Sequence, residues 1–311
     1  MSTQSNKTGV VLMTYGSATT ALHVEEYFGR IYGGKASAAL IADFENRYRL
    51  VGRSPLIDIT KKQAALLEQQ LGSGYIVRAG MRHSAPFIEE AVAACRAAGA
   101  TSLIGIVLSP QFSTFIMGGY RTAFVEAARQ QDFVESQTAI VGPWSDELHF
   151  IELLAKRVNE ALTELNKKYG ASVPVIFTTH SLPQRVVNKN PEYLQQLQTT
   201  IGAVRAKLAP ELTWYAAYQS AGHTPEEWLK PDLTDRLEQL RGKTPAVLIA
   251  PIQFLADHLE VLYDLDIAAR KQCAERGIAY HRIAMPNTDP LFITCLEALV
   301  CSLEKSLPRT K

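Results

Sequence analysis

Short runs of branched apolar residues alternate along this chain with longer segments in which apolar residues recur at helical spacing. The short runs predict strands buried on both faces, and the longer segments predict amphipathic helices. Strands are predicted at residues 10–13, 75–79, 103–108, 138–141, 175–177, 212–218, 246–250 and 278–283. Helices are predicted at residues 24–32, 37–50, 86–97, 117–129, 147–168, 193–208, 232–240, 258–276 and 291–303, and a further helix is predicted to start with Ser54 as its cap and Pro55 as its first residue. Such alternation is typical of parallel sheets with helices on both faces.

The central stretch of this pattern is Val-Pro-Val-Ile-Phe-Thr-Thr-His-Ser-Leu-Pro, residues 173–183. The apolar run ends at Thr178, and Pro183 prevents the strand from continuing. His180 is therefore predicted to lie just past the carboxyl end of a central parallel strand, where open α/β sheets form their sites. An imidazole there could accept a proton or bind a metal. A histidine that ends a strand and bonds the nearest backbone is the alternative interpretation.

The ends of four predicted strands resemble one another in pairs. Residues 12–17 resemble residues 176–181, and residues 108–112 resemble residues 249–254. We interpret this repeat as an α/β fold of two similar doubly wound, Rossmann-like domains.

The joint between the halves is predicted near Pro143-Trp144. The N-terminal domain would then span residues 1–145 and the C-terminal domain residues 146–311, with the last helix packing back on the first domain. The repeated strand ends would face one interdomain cleft, whose rim is marked by Tyr15, Ser109, His180 and Pro251.

Composition narrows the function classes. A chain of 311 residues with 47% apolar and 20% charged residues is an ordinary globular protein. Its net charge of +1 argues against nucleic acid or an anionic membrane as the main partner. No segment has the length of a signal peptide or a membrane span, which favours a cytoplasmic protein without stable membrane association. The four cysteines have no familiar metal spacing, so buried free thiols are expected, with an iron–sulfur or zinc site as the less common alternative.

A second candidate follows the strand at 246–250. Asp257, Glu260 and Asp264 are spaced three and four apart, so a helix would place them on one face. A solvated acidic face at a helix N-terminus explains Asp257. It explains Glu260 and Asp264 less well because their neighbours are apolar, and a proton acceptor or cation site is the alternative.

Tyr15 and His83 also follow predicted strands. The phenol of Tyr15 could ligate a metal or donate a hydrogen bond across a cleft, although core packing is the commoner role of a tyrosine. His83 precedes a helix, where a capping role competes with a supporting role near His180.

Cationic and hydroxylic residues cluster early in the chain. Arg47-Tyr48 and Arg53-Ser54 could hold ligand carboxylates by paired hydrogen bonds. Ordinary surface charge explains Arg30 and Lys35.

Two further segments follow predicted strands: residues 111–120 are apolar and aromatic, and residues 218–229 have no helical or strand periodicity. The first could wall a flat apolar ligand with Tyr120 at its edge, or pack in the core. The second is either an ordered functional loop or a loop anchored by Trp228. No glycine-rich nucleotide loop, nucleophile elbow or zinc-protease histidine pair is present, so no nucleotide cofactor is expected.

Several of these segments together resemble the ferrochelatases along nearly the whole chain. They are Thr179-His180-Ser181-Leu182-Pro183, Tyr218-Gln219-Ser220 through Trp228-Leu229, Gln253-Phe254 through Asp264, and residues 109–115. Tyr15-Gly16 resembles the residues found at this place in the coproporphyrin-type enzymes of Gram-positive bacteria. The resemblance implies a chelatase-like fold with an interdomain porphyrin cleft, and insertion of ferrous iron into coproporphyrin III as the reaction.

The resemblance also implies roles for individual residues. His180 and Glu260 would bind iron or accept pyrrole protons, and Tyr15 would be the axial ligand on the opposite face of the macrocycle. The propionates would be held by Arg47, Tyr48, Ser54 and Tyr120, with His83 and Asp264 as supporting polar residues. The implied partners are the porphyrin, ferrous iron as substrate, and the next haem-pathway enzyme in a transient hand-off, and we expect a monomer.

The sequence departs from the family pattern at two places. Relatives carry an arginine pair where this chain has Arg30-Ile31-Tyr32-Gly33, so Tyr32 is proposed to contact a propionate instead. Some relatives carry an acid where this chain has Ala268, and its absence here argues against an outer metal site. The cysteines do not match those of the cluster-bearing members of the family, so no iron–sulfur cluster is expected.

Three alternatives stay open at this point. The chain could be a protoporphyrin IX ferrochelatase or another tetrapyrrole metal chelatase. It could also be a haem or tetrapyrrole carrier, which needs a cleft but no base. A metal-binding regulator fits less well because no closed metal site is visible.

Overall fold

The computed structural model describes residues 6–111, 113–222 and 225–304, without the side chain of Phe115. The chain forms two compact units. The first comprises the chain up to Trp144, Ala256–His258 and the chain from Asn287 onwards. The second comprises Ser145–Leu255 and Leu259–Pro286.

The first unit is built on a four-stranded parallel sheet of order β2-β1-β3-β4. Its strands are β1 (Lys7–Thr14), β2 (Tyr75–Met81), β3 (Ala100–Val107) and β4 (Thr138–Ile140). Its helices are α1 (Val24–Tyr32), α2 (Ala38–Val51), α3 (Leu56–Leu71), α4 (Ile88–Ala97), α5 (Thr114–Gln130) and, at the end of the chain, α11 (Pro290–Glu304). The 3₁₀ turns Ala21–His23 and Glu135–Gln137 complete it.

The second unit repeats this plan with a parallel sheet of order β6-β5-β7-β8. Its strands are β5 (Val175–His180), β6 (Trp214–Gln219), β7 (Ala246–Pro251) and β8 (Ala279–Arg282). Its helices are α6 (Leu148–Tyr169), α7 (Gln184–Lys189), α8 (Glu192–Arg205), α9 (Leu233–Leu240), a π-helix (Val261–Ala269) and α10 (Arg270–Glu275).

The predicted fold class, two similar doubly wound parallel sheets, is confirmed. The two pairs of similar strand ends belong to β1 with β5 and β3 with β7, which hold equivalent positions in the two sheets. Strands β1 and β5 are central and covered on both faces, so Val10 to Met13 and Val175 to Ile176 are fully buried. This position explains their unbroken apolar runs, because each such side chain contributes about 1.5–3 kcal/mol when it leaves water.

Two helices start at residues other than the predicted ones. Helix α3 begins at Leu56, with Pro55 before it, and the buried Ser54 hydroxyl makes no hydrogen bond, so the predicted Ser54 cap is wrong. Helix α5 begins at Thr114, because the Ser113 hydroxyl accepts a hydrogen bond from the Ile116 amide at 3.1 Å. Most of the predicted apolar loop at 111–120 is therefore helical, and Phe112 lies outside the described residues.

The helix predicted at 258–276 is also different in kind. It starts at Leu259, runs as a π-helix through Ala269 and then continues as α10. Asp257 precedes this helix and belongs to the first unit, where Asn287 holds its amide and its carboxylate at 2.9 and 2.7 Å. The prediction that Asp257 shares a helix face with Glu260 and Asp264 is therefore wrong.

Across the described residues, no helix combines the length and apolar character that crossing a bilayer requires.

Candidate active site

His180 ends strand β5 at the point where the strand order of the second sheet reverses. Its two neighbours there are β6 and β7, whose carboxyl ends contribute Gln219 and, just beyond Pro251, Gln253. Ligands of doubly wound sheets bind at this reversal because the loops diverge and leave a crevice. His180 was predicted just past the end of this strand, and in the structure it is the last residue of the strand.

The imidazole of His180 is held in one tautomer. Its Nδ1 lies 2.5 Å from the carbonyl oxygen of Ser181. Because a carbonyl oxygen only accepts hydrogen bonds, Nδ1 carries the proton and donates it. In the neutral ring, Nε2 is then the unprotonated nitrogen, with its lone pair available.

Gln253 fixes the backbone of the same residue. Its side-chain oxygen accepts a hydrogen bond from the His180 amide at 3.0 Å, and its nitrogen donates to the Tyr193 hydroxyl at 2.7 Å. Gln253 and Tyr193 are buried, so both bonds are shielded from water. The sequence analysis assigned no role to Gln253, although it lies in one of the segments that resemble the ferrochelatases.

Glu260 faces the free nitrogen of His180. Its Oε2 atom lies 3.4 Å from Nε2 and is buried without a hydrogen-bond partner, although the side chain as a whole is 38% exposed. The ring of Phe254 stands at 86° to the imidazole, with 6.4 Å between ring centroids. One carboxylate oxygen is therefore directed at a nitrogen lone pair from an apolar setting.

A proton or a metal ion would satisfy both atoms. Two ligands at about 2.1 Å from one ion, at angles of about 90–110°, are about 3.0–3.4 Å apart. The observed 3.4 Å between Nε2 and Oε2 falls in this range. The Ser181 carbonyl on Nδ1 is the kind of outer contact that orients metal-binding histidines.

The π-helix that follows Glu260 is anchored by hydrogen bonds to two strands. Ser220, which follows β6 with a positive φ of 57°, donates its hydroxyl proton to the Asp264 carboxylate. Asp266 accepts two hydrogen bonds from Arg282 of β8, at 2.9 and 2.8 Å. These contacts set the position of the helix turn that carries Glu260 and Asp264, and π-helices are frequent at functional sites.

The loop at 218–229 combines both interpretations that the sequence left open. Ser220 reaches Asp264, whereas the Trp228 ring lies so close to Gly222 that a Cβ there would come within 2.6 Å of it. His223 and Thr224 lie outside the described residues.

In the first unit, Tyr15 follows β1 and is 42% exposed. The backbone turns sharply at Gly16, whose φ is +90° and whose Cβ, if present, would lie 2.4 Å from the Ser84 hydroxyl. Tyr27 donates a hydrogen bond to the Gly16 carbonyl at 2.9 Å, and Ser84 accepts one from the Ser17 amide at 3.2 Å. Only glycine fits this turn, and the turn presents the Tyr15 phenol to solvent.

His83 packs against Tyr15, with 4.5 Å between ring centroids. Its Nε2 is buried without a hydrogen-bond partner. Burial, and to a smaller degree the Arg82 guanidinium, lowers the pKa of His83 from 6.5 to about 4. The alternative capping role is wrong, because α4 is preceded by Phe87, whose amide is bonded by Glu90.

The residues expected to hold carboxylates differ in accessibility. Tyr32 is exposed, and Arg47 is half-buried with two of its nitrogens on Asp43, at 3.0 and 2.8 Å. Tyr48 is only 2% exposed and its hydroxyl lies 2.9 Å from that of Ser17, which itself donates to the Ala18 carbonyl. Tyr48 therefore donates to Ser17 and supports the turn after Tyr15.

Ser54 and Tyr120 are also buried. Burial raises the pKa of Tyr120, so its phenol stays protonated, and the Arg82 guanidinium lies 5.9 Å from its ring centroid. A carboxylate role for these two residues remains a prediction.

Three cysteines, Cys95, Cys273 and Cys295, are buried free thiols, and Cys301 is an exposed one. Burial raises the pKa of Cys95 to about 12 and that of Cys273 to about 11, which keeps both in the unreactive thiol form.

Solved structures define the fold class. A sirohydrochlorin chelatase, SirB from Bacillus subtilis subspecies spizizenii in complex with cobalt, matches 97% of this chain over 95% of its own length, with a TM-score of 0.58 at 10% identity. SirB from Bacillus subtilis with Fe³⁺ matches with a TM-score of 0.60 over 97% and 96% of the two chains at 12% identity. The chain thus has the chelatase fold.

Sequence comparison is more specific. The ferrochelatase family model matches residues 7–303. The coproporphyrin III ferrochelatase of Halalkalibacterium halodurans is 38% identical over 94% of this chain and 96% of its own, and that of Listeria innocua is 35% identical over 95% and 98%. A ferrochelatase of Herpetosiphon aurantiacus is 34% identical over 95% and 99%. The chain belongs to the ferrochelatase family, and the resemblance predicted from its motifs is confirmed.

The lowered pKa of His83 predicts a pH dependence of stability. Below about pH 6.5 the unfolded chain binds a proton on this ring that the folded chain binds only below about pH 4. The free energy of unfolding is therefore expected to fall as the pH falls through this window. Replacing His83→Gln should make the fall shallower in urea denaturation between pH 4.5 and 7.5. His23→Gln, at an exposed histidine, should keep the wild-type slope, and an unchanged slope in His83→Gln would contradict the assignment.

Proposed function

We propose that this chain is a coproporphyrin III ferrochelatase, an enzyme that inserts Fe²⁺ into coproporphyrin III in haem biosynthesis and releases two protons. We place the reaction in the cytoplasm. The observation that carries the proposal is the pairing of His180 Nε2 with the buried Oε2 of Glu260 at 3.4 Å. Membership of the ferrochelatase family and the curated names of its relatives support the substrate.

The chemistry requires a base and a place for the ion at the same atoms. Pyrrole N–H groups are very weak acids, so the incoming metal must help to displace their protons. The neutral His180 ring accepts one pyrrole proton at Nε2 while Nδ1 stays bonded to Ser181, and Glu260 stabilises the imidazolium that forms. The ring passes this proton to water and then accepts the second one in the same way. The same two atoms bind the ion before transfer. The protons and the metal thus exchange at one point.

Asp264 stands one turn beyond Glu260 and is held by Ser220. We propose that it supports the pair by fixing this turn and by adding negative charge near the leaving protons.

Tyr15 is proposed as the axial ligand on the opposite face of the iron porphyrin. Its phenol is presented to solvent at the carboxyl end of β1, which is equivalent to the strand that carries His180. Arg47 and Tyr32 are the proposed propionate contacts with accessible surface. Tyr48, Ser54 and Tyr120 are buried, so contacts from them to a propionate require their hydroxyls to become accessible.

A carrier of tetrapyrroles is the candidate from another class. A carrier has no use for a base with an unpartnered carboxylate oxygen beside it, and leaving that oxygen buried costs about 1–3 kcal/mol. The pair therefore favours the enzyme. Monomeric state and transient hand-off of the product remain part of the proposal.

Replacing His180→Ala should lower the rate of iron insertion by about 10²-fold or more, because it removes both the base and a ligand. The affinity for porphyrin, measured by fluorescence quenching, should stay near the wild-type value. His149→Ala is the matched control, since His149 also contacts a glutamate, Glu147, at 2.8 Å in the same unit. A variant that metallates coproporphyrin III at a near-normal rate would remove His180 from the mechanism.

The wild-type protein should metallate coproporphyrin III faster, by kcat/KM, than protoporphyrin IX, because two further carboxylates are available for contacts such as those of Arg47 and Tyr32. Anaerobic assays with Fe²⁺ and each porphyrin measure this ratio. Equal rates, or a preference for protoporphyrin IX, would assign the alternative substrate. Single-turnover metallation that fails with every porphyrin would leave the carrier as the function.

Replacing Tyr15→Phe should shift the visible spectrum of the bound iron porphyrin while lowering kcat only slightly, because the phenol oxygen is lost but the ring remains. Tyr32→Phe, at another exposed tyrosine, should leave the spectrum as it is. An unchanged spectrum in Tyr15→Phe would rule the phenol out as a ligand.

A further inference from the structure

The second unit contains a cavity of about 560 Å³ between α8 and the sheet. Leu197 and Ile201 of α8 form one wall, and Phe177 of β5 and Trp214 of β6 form the other. Side chains alternate between the faces of a strand, so Phe177 and Thr179, which line the cavity, lie on the sheet face opposite to His180. The cavity is therefore separate from the candidate active site.

Small residues keep this space open. Three small residues, Ala216 of β6, Gly202 of α8 and the adjoining Ala206, line it where larger side chains would fill it. Helix α8 packs chiefly against α6, so it does not close on β6 at the edge of the sheet. A volume of this size lies within the about 300–1,000 Å³ that is typical of ligand pockets.

A single cation projects into this apolar space. The guanidinium carbon of Arg205 lies 4.7 Å from the centroid of the Trp214 ring, and its Nε is buried without a hydrogen-bond partner. Within the described part of the chain, Arg205 makes no ion pair. By contrast, the guanidinium of Arg185 in the same unit is held by Glu226. A buried N–H of a charged group normally has an acceptor, because leaving it without one is costly.

We propose that this cavity binds an amphipathic monoanion of the fatty-acid class, with its carboxylate on Arg205 and its apolar body between α8 and β6. One unpaired cation calls for one negative charge, and the apolar walls call for a hydrocarbon body. A coproporphyrin, with four carboxylates, has the wrong charge for this site. The proposal does not depend on the metal chemistry proposed above, and its test needs no enzymatic assay.

Bromine quenches tryptophan fluorescence on contact, and Trp214 lines the cavity. We therefore expect 11-bromoundecanoate to quench the wild-type protein saturably, and Trp214→Phe to remove that saturable component. Arg205→Gln should weaken binding by about tenfold or more, since a charged hydrogen bond is lost. Ala216→Leu, which adds three carbon atoms to the lining, should weaken it as well.

Lys207→Gln is the matched control, since it removes one positive charge two residues from Arg205 at a side chain that pairs with Glu152 at 3.7 Å outside the cavity. It should bind as the wild type does. Thermal unfolding of each variant checks that the unit stays folded, and if Arg205→Gln is unstable, Ala216→Leu alone decides. No saturable quenching, equal binding of 11-bromoundecanol, or loss of binding in Lys207→Gln to the same degree as in Arg205→Gln would each overturn the proposal.

Discussion

The hydrogen bond from His180 Nδ1 to the Ser181 carbonyl is the contact on which the candidate site depends. It fixes the tautomer, and the tautomer decides that Nε2 faces Glu260 with a lone pair rather than a proton. In the proposed reaction, this lone pair takes the proton from a pyrrole and then releases it.

Glu260, which faces this nitrogen, is positioned by the π-helix that follows it. A π-helix is a rare and weakly stabilised form of backbone, so its nine residues from Val261 to Ala269 require support from outside. That support comes from the Ser220 contact to Asp264 and from the Arg282 contact to Asp266, whose pair is largely shielded from water. Arg270 adds a bond from its side chain to the Asp266 carbonyl at 2.9 Å. Two strand ends thus hold the helix turn that carries the carboxylate.

Sequence reasoning succeeded where one local pattern has one structural meaning. An apolar run followed by Pro183 ends a buried strand, so the place of His180 followed, and the similar strand ends revealed the two equivalent sheets. Sequence reasoning failed where the outcome depends on distant atoms. Ser54 has the sequence pattern of a helix cap, but its hydroxyl is buried without a hydrogen bond. Tyr48 was predicted to hold a ligand carboxylate, but its hydroxyl bonds that of Ser17, which is distant in sequence.

The π-helix could not be predicted for a similar reason. Its apolar spacing is equally compatible with an α-helix, and the side chains that anchor it, Ser220 and Arg282, are distant in sequence. Gln253 was passed over because a single glutamine after a strand carries no local signal. Only its bonds to the His180 amide and to Tyr193 show what it does.

The proposed metal site of two side chains has consequences for metal choice. Within the described residues, no group of three or more histidine, cysteine, aspartate or glutamate side chains is arranged to hold an ion. A closed site with four ligands would retain its metal, whereas the two proposed ligands, His180 and Glu260, would leave most of the coordination sphere to water or to pyrrole nitrogens. Such a pair favours transfer over storage. The pair does not select iron over competing ions, because Zn²⁺ and Cu²⁺ bind imidazole and carboxylate at least as well as Fe²⁺. Preference for iron must therefore come from the supply of the ion or from the rate of transfer, and not from the affinity of this pair.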